Sequence, residues 1–133
     1  MKGACLCGAI TIQANTNGQV EVCHCSMCRR WGGGPLLAIH CGTEVTIEGS
    51  DHIQAFDSSE WGQRGFCKQC GTHLFYKLKS TGEYIMSAGL FQEETAFALK
   101  EQIFIDKKPS YYEFANQTPT MTEAEVFQKF ASG

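Results

Sequence analysis

Cys23-His24-Cys25-Ser26-Met27-Cys28 places three thiols within six residues. Core cysteines are not crowded in this way, and a cluster of soft thiolate ligands calls for a metal, zinc foremost among the common ions. Two further groups flank it. Cys5-Leu6-Cys7 precedes it, and Cys67-Lys68-Gln69-Cys70-Gly71 follows it. Two plus two completes a four-thiolate set, whereas the central three stay one ligand short. A structural zinc is closed by four protein ligands, and a catalytic zinc keeps one position open. That inequality is the main functional clue in the chain.

The 133 residues form one domain by length, with 43% hydrophobic and 19% charged residues, as in an ordinary globular protein. Eight cysteines are unusual for that size. The beginning, Met1-Lys2-Gly3-Ala4-Cys5, carries no apolar run of the signal-peptide kind, and Leu36-Leu37-Ala38-Ile39 is far too short to cross a membrane. A cytoplasmic location is therefore expected, where clustered thiols stay reduced and hold metal. Eleven Lys and Arg against 14 Asp and Glu leave a net charge of −3, which argues against a nucleic-acid partner.

Most of the chain reads as short strands. Ala9–Gln13 alternates apolar and polar, Asn15–Gly18 is turn material, and Gln19–Val22 alternates again, which predicts a hairpin. Further strands are predicted over Leu36–Cys41, Thr43–Glu48, Ile53–Phe56, Thr72–Lys77, Glu83–Ser87 and Phe97–Ile105. Gly32-Gly33-Gly34-Pro35 is read as irregular: three glycines either let the backbone approach a ligand or form a surface loop. The glycine after Cys67-x-x-Cys70 admits the tight turn of a zinc knuckle. Thr122-Glu123-Ala124-Glu125 fits a capping box, and Val126, Phe127, Phe130 and Ala131 follow at helical spacing, predicting one short C-terminal helix.

Joining Cys5 and Cys7 to Cys67 and Cys70 through one zinc would couple metal binding to folding, worth roughly 10–16 kcal/mol in small zinc peptides. The bland alternative is that either pair is redox-active or simply buried. For Cys23, Cys25 and Cys28 the functional reading is a three-thiolate zinc with an exchangeable fourth position, able to bind an incoming thiolate or polarise a carbonyl. The alternative is a second structural site completed by Cys41, His24 or His40. Arg29 and Arg30 suit an anionic substrate group, such as a carboxylate clamped bidentately. His73, just past the knuckle, is the candidate acid/base. His52 reads as surface, and Trp31 and Trp61 as core or pocket wall.

The order C-x-C … C-x-C-x2-C … F-C-x2-C-G resembles the glutathione-dependent formaldehyde-activating enzyme (GFA) family, which includes centromere protein V-like domains. The motifs are Gly3–Gly8, Cys23–Arg29 and Phe66–Thr72, and the likeness spans roughly residues 3 to 115. The resemblance implies a single GFA-like domain over residues 1–133, mainly β, with β-tent-like small antiparallel sheets stapled by two zinc ions. By that analogy Cys5, Cys7, Cys67 and Cys70 hold the structural ion. Cys23, Cys25 and Cys28 hold the other, where the glutathione chemistry sits. It also implies a carbon–sulfur lyase that equilibrates S-(hydroxymethyl)glutathione with glutathione and formaldehyde, with Arg29 and Arg30 available to a glutathione carboxylate.

The residues and the resemblance converge on a cytoplasmic zinc enzyme acting on a small thiol or thiol adduct. The alternatives are a non-enzymatic zinc module that binds a partner, and a redox sensor that ejects zinc when Cys23, Cys25 and Cys28 oxidise.

Overall fold

The structure, a computed structural model, describes residues 1–92 and 96–132, with side chains in the last helix as far as Lys129. In chain order the elements are β1 (Lys2–Ala4), β2 (Thr11–Ala14), β3 (Gln19–Cys23), α1 (Ser26–Gly32), β4 (Leu36–Gly42), β5 (Val45–Glu48), β6 (Ile53–Asp57), β7 (Gly62–Cys67), β8 (His73–Leu78), β9 (Tyr84–Ser87), β10 (Ala98–Ile103), β11 (Thr120–Met121) and α2 (Glu123–Ser132). The fold is mainly β, with a small three-stranded antiparallel sheet, a larger sheet, and a short C-terminal helix, as the sequence implies.

The chain divides into two compact units. The first comprises Met1–Gln19 and Ile39–Phe97. In it, β2 is the central strand of the small sheet, paired with β1 (Gly3 opposite Ile12) and with β5 (Ile12 opposite Ile47). The expected hairpin between Ala9–Gln13 and Gln19–Val22 does not form, because both edges of β2 are taken by β1 and β5, while β3 belongs to the other sheet. Strands β6 to β9 run as an antiparallel meander. Ile10, Leu74 and Met86 are fully buried in this unit, which supplies its hydrophobic anchor.

Strand β7, Gly-Gln-Arg-Gly-Phe-Cys, contradicts strand propensity and was not expected. The glycines are what permit it. A Cβ on Gly62 or Gly65 would come within 2.3 Å of the ring of Tyr76 or Phe75, so aromatic rings of β8 occupy the space where side chains would stand.

The second unit comprises Val20–Ala38 and Ala98–Gly133. Here β10 lies between β3 and the parallel β11. Val22 and Val126 are buried, and so are two polar side chains, His24 and Gln102. The capping box forms reciprocally: Thr122 N–H donates to Glu125 Oε1 at 3.0 Å, and Glu125 N–H to Thr122 Oγ1 at 3.2 Å. Val126 is buried while Phe127 is exposed and edge-on to Phe104; the side chains of Phe130 and Ala131 lie outside the described residues.

Candidate functional site

In the first unit the sulfurs of Cys5, Cys7, Cys67 and Cys70 all lie within 4.8 Å of one another. Two local turns put them there. After β1 the chain reverses, with Gly8 N–H on Cys5 O (3.1 Å) and Cys5 N–H on Ile10 O (3.1 Å). After β7, Gly71 turns at φ +79° with its N–H on Cys67 O at 2.8 Å. Cys5 and Cys7 sulfurs stand 3.6 Å apart, and those of Cys7 and Cys67 3.8 Å. Zinc–sulfur bonds of about 2.3 Å in a tetrahedron separate sulfurs by about 3.8 Å, so the group fits a four-thiolate metal.

Electrostatics point the same way. The Thr72 hydroxyl and amide favour the Cys70 thiolate and lower its pKa to about 5. At Cys7 the Ala9 amide also favours the anion, but burial and the neighbouring sulfurs outweigh it and push the thiol up to about 12. Four sulfurs at contact cannot all ionise against each other, and a shared cation removes that conflict. Thr72 links the two hairpins: its Oγ1 accepts from Leu6 N–H at 3.0 Å and lies 3.1 Å from Cys70 Sγ.

In the second unit Cys23, Cys25 and Cys28 also converge, again within 4.8 Å. Cys23 ends β3, Cys25 is the N-cap of α1, and buried Cys28 lies in its first turn. Cys25 Sγ accepts the Cys28 N–H at 3.3 Å, so one candidate ligand positions the other. The neighbouring sulfurs of Cys25 and Cys28, together with burial, raise the Cys23 thiol strongly, the same sign of sulfur crowding. The sequence reading missed this helix and took Gly32–Pro35 as irregular. Gly32 instead closes α1, and Gly33 is its left-handed C-cap at φ +87°, donating to Arg29 O at 2.8 Å. A Cβ on Gly33 or Gly34 would meet no other part of the protein within 4 Å, so packing against the rest of the chain is not what needs them.

His24, between two of these cysteines, turns into the core and is fully buried. Its Nε2 lies 2.9 Å from Gln102 Oε1 and its Nδ1 2.8 Å from the Tyr112 hydroxyl. Gln102 Nε2 donates to Thr118 Oγ1 at 3.2 Å, which leaves Oε1 as the acceptor for Nε2–H. Neutral His24 then accepts the Tyr112 proton at Nδ1. Burial, first, holds its pKa below the usual histidine value. With both ring nitrogens engaged, His24 has no lone pair for a metal. Its fit is that of a structural anchor.

The remaining expected site residues divide between the units. Arg29 commits its Nε to the His24 carbonyl at 3.0 Å, and Arg30, next on α1, is exposed. His73 belongs to the first unit, heading β8 opposite Phe66, half-buried; burial and then the charge of Arg64 lower its pKa. Cys41 is buried there too, its thiol directed at Ile39 O (3.8 Å) and pushed up to about 11 by burial, as a small core residue would be. His40 is exposed. Trp61 is 66% exposed and not a core residue, because it sits on the turn between β6 and β7. His52 is tied in place: its carbonyl accepts Lys68 N–H at 2.7 Å and its Nδ1 lies 3.2 Å from Gln69 Nε2. Sequence reasoning overlooked Gln102, Tyr112 and Thr72. The one available signal was that a histidine between two ligands, turned inward, must find polar partners.

Comparison with known proteins adds four findings. Residues 1–107 match the family model described as "Glutathione-dependent formaldehyde-activating enzyme". The chain is 33% identical over 129 residues to an uncharacterized lyase of Schizosaccharomyces pombe, covering 96% of this chain and 94% of that protein. It is 26% identical over 85 residues to a Halomonas elongata protein named "Putative glutathione-dependent formaldehyde-activating enzyme", covering 56% of this chain and 54% of the other. A crystal structure of a Rhodobacter sphaeroides protein shares the fold, with TM-score 0.57, 23% identity, and coverage of 69% of this chain and 88% of the other.

Proposed function

The chain belongs to the glutathione-dependent formaldehyde-activating enzyme family, and from that premise we propose that it is a zinc-dependent carbon–sulfur lyase acting on a small-thiol adduct such as S-(hydroxymethyl)glutathione. The lyase and formaldehyde-activating names of its relatives support a lyase-type role. The observation that carries the finer reading is the three-cysteine group, because three sulfurs converge while His24, the nearest alternative ligand, is fully engaged elsewhere. Cys23, Cys25 and Cys28 would supply three thiolates to a zinc ion, one fewer than a closed structural site, so that such an ion would be open to a substrate sulfur.

In this reading Cys5, Cys7, Cys67 and Cys70 hold a structural zinc, and Cys23, Cys25 and Cys28 a second one, within one GFA-like domain. Zinc bound at the second group supplies a soft Lewis acid that favours the thiolate over the thiol. In the cleavage direction the carbon–sulfur bond breaks with its electron pair going to sulfur. The hydroxyl oxygen forms the carbonyl of formaldehyde as its proton passes to a base. His73 is the candidate base on chemical grounds, since its lowered pKa keeps the imidazole neutral near pH 7. Arg30, and the N–H groups of Arg29 other than Nε, are the candidate partners of a substrate carboxylate.

The test is zinc content per chain in wild type and Cys25→Ser, each titrated calorimetrically with glutathione and with S-(hydroxymethyl)glutathione. Loss of about one zinc together with loss of binding supports the reading. Two tightly held zincs and no binding of either compound by the wild type would reject it in favour of a metal-stapled interaction domain.

A further inference from the structure

All four polar groups of His24 are engaged, each by a different residue. Its N–H donates to Ile103 O at 3.1 Å and its carbonyl accepts Arg29 Nε at 3.0 Å. Gln102 and Tyr112 hold the ring, as described above. The imidazole also stacks on the Tyr112 ring (centroids 5.6 Å apart, 24° between planes) and meets the edge of Phe114 at 5.8 Å. His24 is well placed to set the backbone of the ligand loop, since Cys23 and Cys25 are its immediate neighbours.

The partners on one side of that ring come from the stretch after residue 107, where the family match ends. Tyr112 and Phe114 both lie in it, and so does Thr118, which holds the Gln102 side chain. The stretch is folded by its own contacts. Lys108 Nζ donates to Pro109 O at 3.1 Å and to Tyr112 O at 2.8 Å, pairs with Glu113 at 2.8 Å, and lies over the Tyr112 ring at 5.4 Å. Gln102 then ties β10 to it twice, through Thr118 Oγ1 and through its own N–H on Pro119 O at 3.1 Å.

From this geometry we infer that segment 108–118 is the outer shell of the three-cysteine site. Tyr112, acting through His24, is a positioning residue that sets how tightly the site holds its metal. The inference rests on the proposed metal at Cys23, Cys25 and Cys28. Outer partners that orient first ligands change metal affinity by roughly 10- to 100-fold when removed. They do so by fixing the loop before the metal arrives, so less ordering remains to be done on binding.

Two variants of the full chain separate this from a general packing role. Tyr112→Phe keeps the stacked ring and removes only the hydroxyl; Tyr111→Phe makes the same chemical change one residue away, at a side chain that is 73% exposed. Cobalt(II) titration, competed by a chelator, reads the two thiolate sites, and ¹⁵N NMR of His24 reads its ring nitrogens directly. In Tyr112→Phe we expect the three-cysteine site to weaken roughly tenfold or more, the four-cysteine site to stay unchanged, and the Nδ1 signal to shift as its hydrogen bond is lost. Tyr111→Phe should match wild type in all three. A shifted Nδ1 signal with unaltered affinity at both sites overturns the positioning role alone, and so does equal weakening of both sites. A wild type that binds one cobalt per chain, with no spectrum from Cys23, Cys25 and Cys28, overturns the underlying metal reading instead.

Discussion

Cys25 Sγ lies 3.3 Å from the amide nitrogen of Cys28, so the first cysteine of the Cys-x-x-Cys step caps the helix that carries the second. The sulfur in that position accepts an N–H at the first turn of α1, as a capping side chain does. Helix and candidate metal ligand are thereby built from the same atoms.

The two roles separate by substitution. Cys25→Ser retains a side-chain oxygen able to cap α1 but loses the soft ligand, whereas Cys25→Ala loses both. Both variants should lose about one zinc by elemental analysis. Only Cys25→Ala should lose a further ~1 kcal/mol in a denaturant titration of the protein carrying its remaining metal. Equal stability of the two would mean that a side-chain cap at position 25 contributes nothing to α1.

At the four-cysteine group, Thr72→Val removes the hydroxyl that joins Leu6 N–H to Cys70 Sγ. The hydrogen bond to a partly exposed amide is worth about 0.5–1.5 kcal/mol. Loss of the hydroxyl also raises the Cys70 thiol from its value of about 5, since Thr72 is the main cause of that lowering. Zinc release to a chelator should speed up at this site and stay unchanged at the three-cysteine site. Unaltered release from both would show that Thr72 is a bystander.

Strand β7 depends on glycine at position 65. A Cβ there would stand 2.3 Å from Cζ and 2.6 Å from Cε2 of Phe75, and that buried ring is fixed edge-on by Tyr84 at 5.0 Å. Gly65→Ala should therefore cost about 1–3 kcal/mol, as overpacking does. Gly65→Ala combined with Phe75→Leu should recover part of the loss in thermal unfolding; a fully additive pair would argue that the ring is not the obstacle.

Acid should destabilise the fold through its buried imidazoles. His24 and His73 both have folded pKa values below the unfolded histidine value of about 6.5, burial being the first cause in each. The folded state then binds fewer protons than the unfolded one. The stability they contribute is complete above about pH 6.5 and declines as pH falls through the lowered folded values. Stability measured between pH 7.5 and 5.5 should fall less steeply in His73→Gln than in wild type. An identical slope would show that His73 titrates normally.

The cysteine spacing alone carried the family resemblance and the two groups of candidate ligands, because ligand sets closed by a metal depend on which residues recur at which intervals. The mainly β class was legible in the alternation of apolar and polar residues. The capping box at Thr122 and Glu125 was equally legible, since both partners lie within one helical turn. Tertiary structure decided the rest. The two edges of β2 are taken by β1 and β5, and the rings of Tyr76 and Phe75 occupy the space where side chains at Gly62 and Gly65 would stand. Helix α1 has seven residues, too few for a periodic pattern, and is held by a cysteine cap and a glycine stop. His24 had its neighbours Cys23 and Cys25 in view from the start, but Gln102 and Tyr112 are 78 and 88 residues away. Only folding brings those hydrogen-bond partners to the ring, and their presence makes this histidine an anchor instead of a ligand.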